Sequence, residues 1–167
     1  MVGWSPVQTS CRSRETRGGV GRWRPFGART RVPASLIVID ASAFLEMLLR
    51  TPVGIVVESI MAAESAAAPN LIDAEVFHRL ITFGKQSVLA PHEVKSGIAD
   101  LRDAPMDRVD HRLLMTRATE FSAALSGYDA LYAALAAELD ATLVTGDDKF
   151  ARTARSQLAL RVADLSP

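Results

Sequence analysis

The sequence predicts an α/β fold, with helices on both faces of a mainly parallel sheet. Short apolar runs rich in β-branched residues alternate along the chain with segments whose apolar side chains recur at helical spacing. No turn signal of the kind that closes a β-hairpin joins two strand-like runs, which favours parallel strands connected through helices. The chain has 167 residues, of which 49% are hydrophobic, so it is long enough for one domain with a substantial core.

The first predicted strand covers residues 36–39, a continuous apolar run that suits a strand buried on both faces. Asp40 ends this strand, and a helix follows because apolar residues recur at helical spacing. These residues are Phe44, Leu45, Leu48 and Leu49. The next predicted elements are a helix at 53–66, an extended segment at 68–72, a helix from 73 to 84 and a helix at 91–101. Asp73 is expected to cap its helix by accepting hydrogen bonds from first-turn amides.

The second half of the chain continues the alternation of helices and strands. The predicted elements are a long helix at 112–125, a helix at 128–139, a strand at 141–145, a helix at 148–156 and a closing strand at 160–165. Ser126 and Gly127 separate the first two of these helices. In the second helix, Leu131, Leu135 and Leu139 repeat every four residues and form one apolar face.

Charge is distributed unevenly between the first 34 residues and the rest of the chain. Residues 1–34 contain seven arginines, no lysine and one acid, Glu15, whereas residues 35–167 carry 12 basic and 18 acidic residues. The first segment has no hydrophobic periodicity, so we interpret 1–34 as a flexible arm and 35–167 as the folded domain. The arm could contact RNA phosphates, act as a transit peptide or be an extension without a structural role, and the arginine-rich chain favours the last.

The composition excludes several classes of function. The formal net charge is zero, which excludes a uniformly basic surface for nucleic acid, and the single cysteine, Cys11, excludes a disulfide framework or a cysteine-cluster zinc site. No apolar run approaches the about 20 residues of a membrane-spanning helix, so we expect a soluble, cytoplasmic protein with no membrane partner. Glycine-rich phosphate-binding motifs and a G-x-S-x-G elbow are missing, and the histidines have no metal-ligand spacing.

Acidic residues stand at the ends of several predicted elements. They are Asp40, Asp73, Glu75, Asp129, Asp147 and Asp148. Each one alone has a simpler explanation as a helix cap, a first-turn acid or a turn residue. Because parallel strands end at the same edge of a sheet, several of these acids are expected to converge there. Converging carboxylates are best tolerated around a cation, and oxygen ligands without His or Cys suit Mg²⁺ or Mn²⁺ and phosphoryl chemistry.

The order and spacing of these acids resemble the PIN-domain nucleases, and specifically the VapC-type toxins of bacterial toxin–antitoxin pairs. The resemblance rests on I-V-I-D-A-S-A at 37–43, I-D-A-E-V at 72–76, and G-Y-D-A-L-Y-A-A-L-A at 127–136 leading to L-V-T-G-D at 143–147. It covers about residues 36–165. It implies a three-layer α/β/α PIN-like domain with a mainly parallel central sheet.

The resemblance also implies the site residues of a Mg²⁺- or Mn²⁺-dependent endoribonuclease. The family's acidic metal-binding and catalytic quartet corresponds to Asp40, Glu75, Asp129 and Asp147. Ser42 and Thr145 match small hydroxyl residues that support the first carboxylate or the waters of the metal. Two roles stay open for Asp148: it could support the site as an acid that does not contact the metal, or it could be a helix N-cap. Asp73 is the substitute to consider if Glu75 faces away from Asp40.

The implied partners are an RNA substrate, a cognate VapB-like antitoxin and a second copy of the chain in a homodimer. The antitoxin tail would lie in a groove near the acids, and the apolar stripe at 44–49 is a candidate wall of that groove. Arg50, Lys149 and Arg152 are candidates for contacts with phosphates. Two other functions stay open: a PIN-domain nuclease of RNA processing without an antitoxin, and a catalytically inactive PIN-like binding protein.

Overall fold

The computed structural model describes residues 35–166, and the predicted arm at 1–34 lies outside the described residues. The described chain forms four strands and seven α-helices. The strands are β1 (Leu36–Ile39), β2 (Ser65–Pro69), β3 (Met106–Val109) and β4 (Thr142–Val144). The helices are α1 (Ala41–Leu48), α2 (Pro52–Ala63), α3 (Ile72–Lys85), α4 (Pro91–Asp103), α5 (Met115–Ala118), α6 (Gly127–Glu138) and α7 (Asp148–Gln157).

All four strands are parallel and lie in one sheet in the order β3-β2-β1-β4. Strand β1 is central, and its Val38 pairs with Ala67 of β2 and with Leu143 of β4. Val38 and Ile39 have 0% exposure, so this strand is covered on both faces. The predicted three-layer α/β/α arrangement around a mainly parallel sheet is therefore confirmed.

The parallel topology determines where the loops and helix starts of the domain meet. The carboxyl-terminal ends of β1, β2 and β4 lie at one edge of the sheet, and α1, α3 and α7 begin shortly after them. Within residues 35–166, none of the helices has the length and apolar character that a membrane crossing requires.

The second and third strands differ from the prediction. The helix expected to reach residue 66 ends at Ala63, and residues 65–69 form β2. Alanine is the best helix former, but pairing with β1 and burial of the three alanines at 66–68 override that local preference. Strand β3 was not predicted, because it is an edge strand of sequence M-D-R-V and has no continuous apolar run.

Two predicted elements of the second half are also wrong. The long helix at 112–125 is replaced by α5 and by 3-10 turns at His111–Leu113 and Thr119–Phe121. The hydroxyls of Thr119 and Ser122 donate to carbonyls three residues earlier, which competes with α-helical hydrogen bonding. Residues 160–165 do not form a closing strand but contribute an isolated parallel bridge from Val162 to Leu143.

Candidate active site

A cleft of about 750 Å³ opens at the carboxyl-terminal edge of the sheet. Four separate elements each place one acid on its wall. The acids are Asp40 after β1, Glu75 in the first turn of α3, Asp129 in the first turn of α6 and Asp147 after β4. The structure therefore brings the four residues of the predicted quartet to one cleft.

Asp40 is the most enclosed of the four acids, with 6% of its surface exposed. Its Oδ2 accepts hydrogen bonds from Ser42 Oγ at 2.5 Å and from Thr145 Oγ1 at 2.8 Å. Burial raises the pKa of Asp40, the two hydroxyls act in the opposite direction, and the negative charge of Asp129 adds to the rise. Ser42 Oγ also accepts a hydrogen bond from the Gly146 amide at 2.9 Å, so the start of α1 is tied to the loop after β4.

Glu75 is half-buried, and its carboxylate faces the cleft from α3. Tyr132 Oη donates a hydrogen bond to Glu75 Oε2 at 2.6 Å. Burial is the largest cause that raises the pKa of Glu75, and repulsion by Asp40 and Asp129 adds to it. Repulsion by the negative charge of Asp129 thus contributes to the raised pKa of both Asp40 and Glu75.

Asp129 and Asp147 are held at the starts of two helices. Ser126 caps α6: its Oγ accepts from the Asp129 amide at 3.2 Å and lies 2.8 Å from Asp129 Oδ2, to which it donates. Asp147 caps α7, since its Oδ1 accepts from the amides of Lys149 and Phe150 at 2.8 and 2.9 Å. Both carboxylates are therefore fixed by local backbone geometry.

The hydrogen bonds of the quartet share one pattern. The oxygens bound by the side-chain and capping contacts are Oδ2 of Asp40, Oε2 of Glu75, Oδ2 of Asp129 and Oδ1 of Asp147. One oxygen of each acid is thus hydrogen-bonded within the protein. These contacts leave the second oxygen of each acid for another partner.

The spacing of the acidic side chains limits how a divalent cation can be bound. Among residues 35–166, no three His, Cys, Asp or Glu side chains stand close enough together to hold a metal ion between them. The expectation that the four carboxylates lie within reach of one coordination site is therefore not met, although they line the same cleft. The donor set still fits Mg²⁺, which is usually bound by one or two carboxylates and keeps several waters.

The two remaining acids are not part of the cleft wall. Asp73 does not cap α3, which begins after Leu71 without a side-chain cap; instead its carboxylate accepts from Arg108 Nε of β3 at 2.9 Å. Asp148 is the first residue of α7 and is exposed, whereas its neighbour Asp147 is the N-cap. Asp73 is thus an ion-pair residue, and the suggestion that Asp148 caps the helix is wrong by one position.

Sequence reasoning missed Glu46 on the cleft wall and Tyr132, a core residue that contacts Glu75. Glu46 lines the cleft from α1 and accepts a hydrogen bond from the hydroxyl of Thr51. It lies one helical turn after Ser42, a spacing that places both side chains on one helix face. Tyr132 lies three residues after Asp129, but its partner Glu75 is 57 positions away, and no local pattern indicates that contact.

The cleft wall also contains apolar and basic residues. Among them are Leu45, Leu49, Leu71, Phe83, His78 and Arg79. The predicted apolar stripe is thus only partly a groove wall, because Phe44 is fully buried in the core and Leu48 lines a different cavity. Arg79, whose guanidinium lies 4.9 Å from the centre of the Phe83 ring, is the arginine on the cleft wall, and the predicted Arg50, Lys149 and Arg152 are not on it.

Comparisons with known proteins agree with this architecture. The sequence model of the PIN domain matches residues 37–156. The ribonuclease VapC9 of Mycobacterium tuberculosis is 32% identical over 127 residues, which cover 76% of this chain and 98% of that protein. The crystal structure of VapBC2 from Rickettsia felis bound to a DNA fragment from their promoter matches with a TM-score of 0.51 and 17% identity, over 77% of this chain and 97% of the other. PAE2754 from Pyrobaculum aerophilum matches with a TM-score of 0.53 and 19% identity, over 71% and 78% of the two chains.

Proposed function

The chain belongs to the VapC branch of the PIN-domain family, and on this basis we propose that it is a metal-dependent endoribonuclease and the toxin of a toxin–antitoxin pair. The observation that carries the proposal is the convergence of four acids from four elements on one cleft. Within residues 35–166 none of these four acids forms an ion pair with an arginine or lysine. A group of acids without basic partners favours a cation as their partner.

The quartet is proposed to bind Mg²⁺ or Mn²⁺ through one or two of its carboxylates directly and through waters of the cation for the others, because its donors are carboxylate oxygens without nitrogen or sulfur. When bound, such a cation lowers the pKa of a coordinated water and stabilises the charge that develops during displacement at phosphorus. Asp40 and Glu75 resist ionisation in the folded protein because they are buried and repel the other acids. A cation among them would offset both effects, so the same features that raise the pKa values favour cation binding.

The residues around the quartet are proposed to keep the carboxylates in place. Ser42 and Thr145 hold Asp40 from two different elements, and they also bind the amides of Gly146 and Asp147. The loop after β4 is therefore fixed relative to β1, and Asp147 lies on that loop. This support reduces the rotamer freedom that the acids would otherwise lose when they bind a cation.

RNA must approach this acidic cleft despite its own negative charge. The helices α6 and α7 begin beside Asp129 and Asp147, and helix amino termini provide positive potential for phosphates. Arg79 adds a full positive charge to the cleft wall. We therefore propose that Arg79 contacts a phosphate of the RNA on one side of the scissile bond. This contact replaces those expected of Arg50, Lys149 and Arg152.

The same cleft suits the tail of a VapB-like antitoxin. Apolar side chains of the tail would pack against Leu49 and Phe83, and an arginine of the tail would pair with the acids, since arginine pairs well with carboxylates. The protein is further proposed to form homodimers, as relatives of this type are expected to do, and to act in the cytoplasm, where its RNA substrate is found.

The proposal is tested by induced expression of the protein, followed by sequencing of cleaved RNA ends. Expression of Asp40→Asn serves as the matched control, since this change removes one charge with little change in shape. New RNA ends at defined sites in the wild type, and none with Asp40→Asn, are the expected result. Growth arrest without new RNA ends would contradict an endoribonuclease.

A further inference from the structure

Tyr132 connects the core of the domain to an acid of the cleft. It lies on α6, one helical turn after Asp129, and its Oη donates a hydrogen bond of 2.6 Å to Glu75 Oε2 on α3. Its side chain is 1% exposed, whereas Glu75 is half-buried and lines the cleft. A core residue of one helix therefore holds a cleft residue of another helix.

The chemistry of the buried phenol suggests that its hydroxyl has a specific role. The other residues that α6 buries are apolar, namely Ala130, Ala133, Ala134, Leu135 and Ala136. A phenylalanine would fill the same space without a polar group, and a buried hydroxyl is costly unless it is hydrogen-bonded. The side-chain partner of this hydroxyl is Glu75.

We infer that Tyr132 is a positioning residue, which holds Glu75 through Oε2 so that Oε1 is left for the divalent cation. This inference rests on the proposed function. Glu75 has three side-chain torsions, and without the phenol its carboxylate would be ordered only when the cation binds. Loss of such an outer partner typically lowers metal affinity by about 10- to 100-fold.

The test is isothermal titration of Mn²⁺ into the metal-free wild type and into Tyr132→Phe. The variant removes one oxygen and keeps the ring, and far-UV circular dichroism checks that the fold is retained. We expect Mn²⁺ affinity to fall by about 10-fold or more, and kcat for RNA to fall while KM for RNA stays the same. Val57→Ala is the matched control, because Val57 is fully buried on α2 and does not line the cleft, so its loss lowers stability only.

A second titration separates positioning from general stabilisation. In a Glu75→Gln background, Tyr132→Phe should cause no further loss of Mn²⁺ affinity, because the contact to the carboxylate is already changed. Unchanged Mn²⁺ affinity of Tyr132→Phe, with a lower melting temperature only, would overturn the inference. A wild-type protein that binds no Mn²⁺ would overturn the proposed metal dependence and, with it, this role of Tyr132.

Discussion

The hydroxyl of Thr145 donates a 2.8 Å hydrogen bond to the carboxylate of Asp40 across 105 positions of sequence. Thr145 and Asp40 are both buried, with 5% and 6% exposure. The contact joins the end of β4 to the end of β1, and it holds an acid of the cleft wall. Buried polar groups destabilise a fold unless they are hydrogen-bonded, and here each residue provides a hydrogen-bond partner for the other.

Thr145→Val should destabilise the protein, because it removes a buried hydroxyl that serves a carboxylate and keeps the shape of the side chain. We expect the free energy of unfolding to fall by about 1.5–3 kcal/mol, as for other hydrogen bonds to charged groups. Urea unfolding measures this change. Thr142→Val in the preceding strand β4 is the control, since the hydroxyl of Thr142 makes no hydrogen bond to Asp40, whereas that of Thr145 does. Equal stability of both variants would contradict the assigned role.

Asp40→Asn should stabilise the metal-free protein at neutral pH. Burial and the charge of Asp129 raise the pKa of Asp40 above that of the unfolded chain, and the pKa of Glu75 is raised in the same direction. Groups with a raised pKa contribute their full stabilisation at a pH below their pKa in the unfolded chain, which is about 4. This contribution is lost as the pH rises through their pKa in the folded protein. Asp40→Asn removes the part of this loss that comes from Asp40, so the free energy of unfolding of the variant should depend less on pH.

Urea unfolding in EDTA, repeated from about pH 4 to about pH 8, measures this difference. Asp107→Asn is the control, because Asp107 is exposed on β3 and lies outside the cleft. It should follow the wild type at every pH. A lower unfolding free energy for Asp40→Asn than for the wild type at neutral pH would show that the charged carboxylate is stabilised in the fold.

Leu49→Glu should weaken binding of the antitoxin more than it weakens RNA cleavage. Leu49 lies on the cleft wall and is not one of its acids, and a charge there opposes apolar side chains of the antitoxin tail. We expect the Kd to rise by about 10-fold or more, with Mg²⁺ also weakening binding of the tail. Isothermal titration with and without Mg²⁺ measures both effects. Val88→Glu, at a residue with 62% exposure outside the cleft, should bind like the wild type.

Removal of residues 1–34 should leave folding and cleavage intact, because this segment has no hydrophobic periodicity and, among the residues that the structure describes, those that line the cleft lie between Asp40 and Asp147. Circular dichroism and the cleavage rate of the 35–167 fragment measure this. If the fragment folds but binds RNA with a shallower dependence on salt, the arginines of 1–34 contact phosphates. A fragment that does not fold would place the domain boundary earlier in the chain.

The predictable parts of this protein are those with a local signal. A continuous apolar run followed by an acid identifies β1 and Asp40, and the spacing of Ser126 and Asp129 identifies the start of α6. Strand β2 could not be found in this way, because its alanines favour a helix and only pairing with β1 overrides them.

The site depends on contacts that no local pattern contains. The choice between Asp147 and Asp148 depends on which backbone amides face the carboxylate, a detail of one turn. Tyr132 and Glu75 meet only because α6 and α3 both start at the same end of the sheet. Asp73 has the residue type and position of a helix cap, but Arg108 of β3, a strand without an apolar signal, provides a stronger partner.

The most direct test of this account is RNA cleavage by purified variants of each acid, in Mg²⁺ or Mn²⁺ and in EDTA. Asp40→Asn, Glu75→Gln, Asp129→Asn and Asp147→Asn should each lower the rate by about 100-fold or more, and EDTA should abolish cleavage by the wild type. Asp73→Asn and Asp148→Asn, whose carboxylates lie outside the cleft, should stay within about threefold of the wild type. Cleavage that persists in EDTA, or that survives the loss of Asp40, would contradict a metal-dependent nuclease built on these four acids.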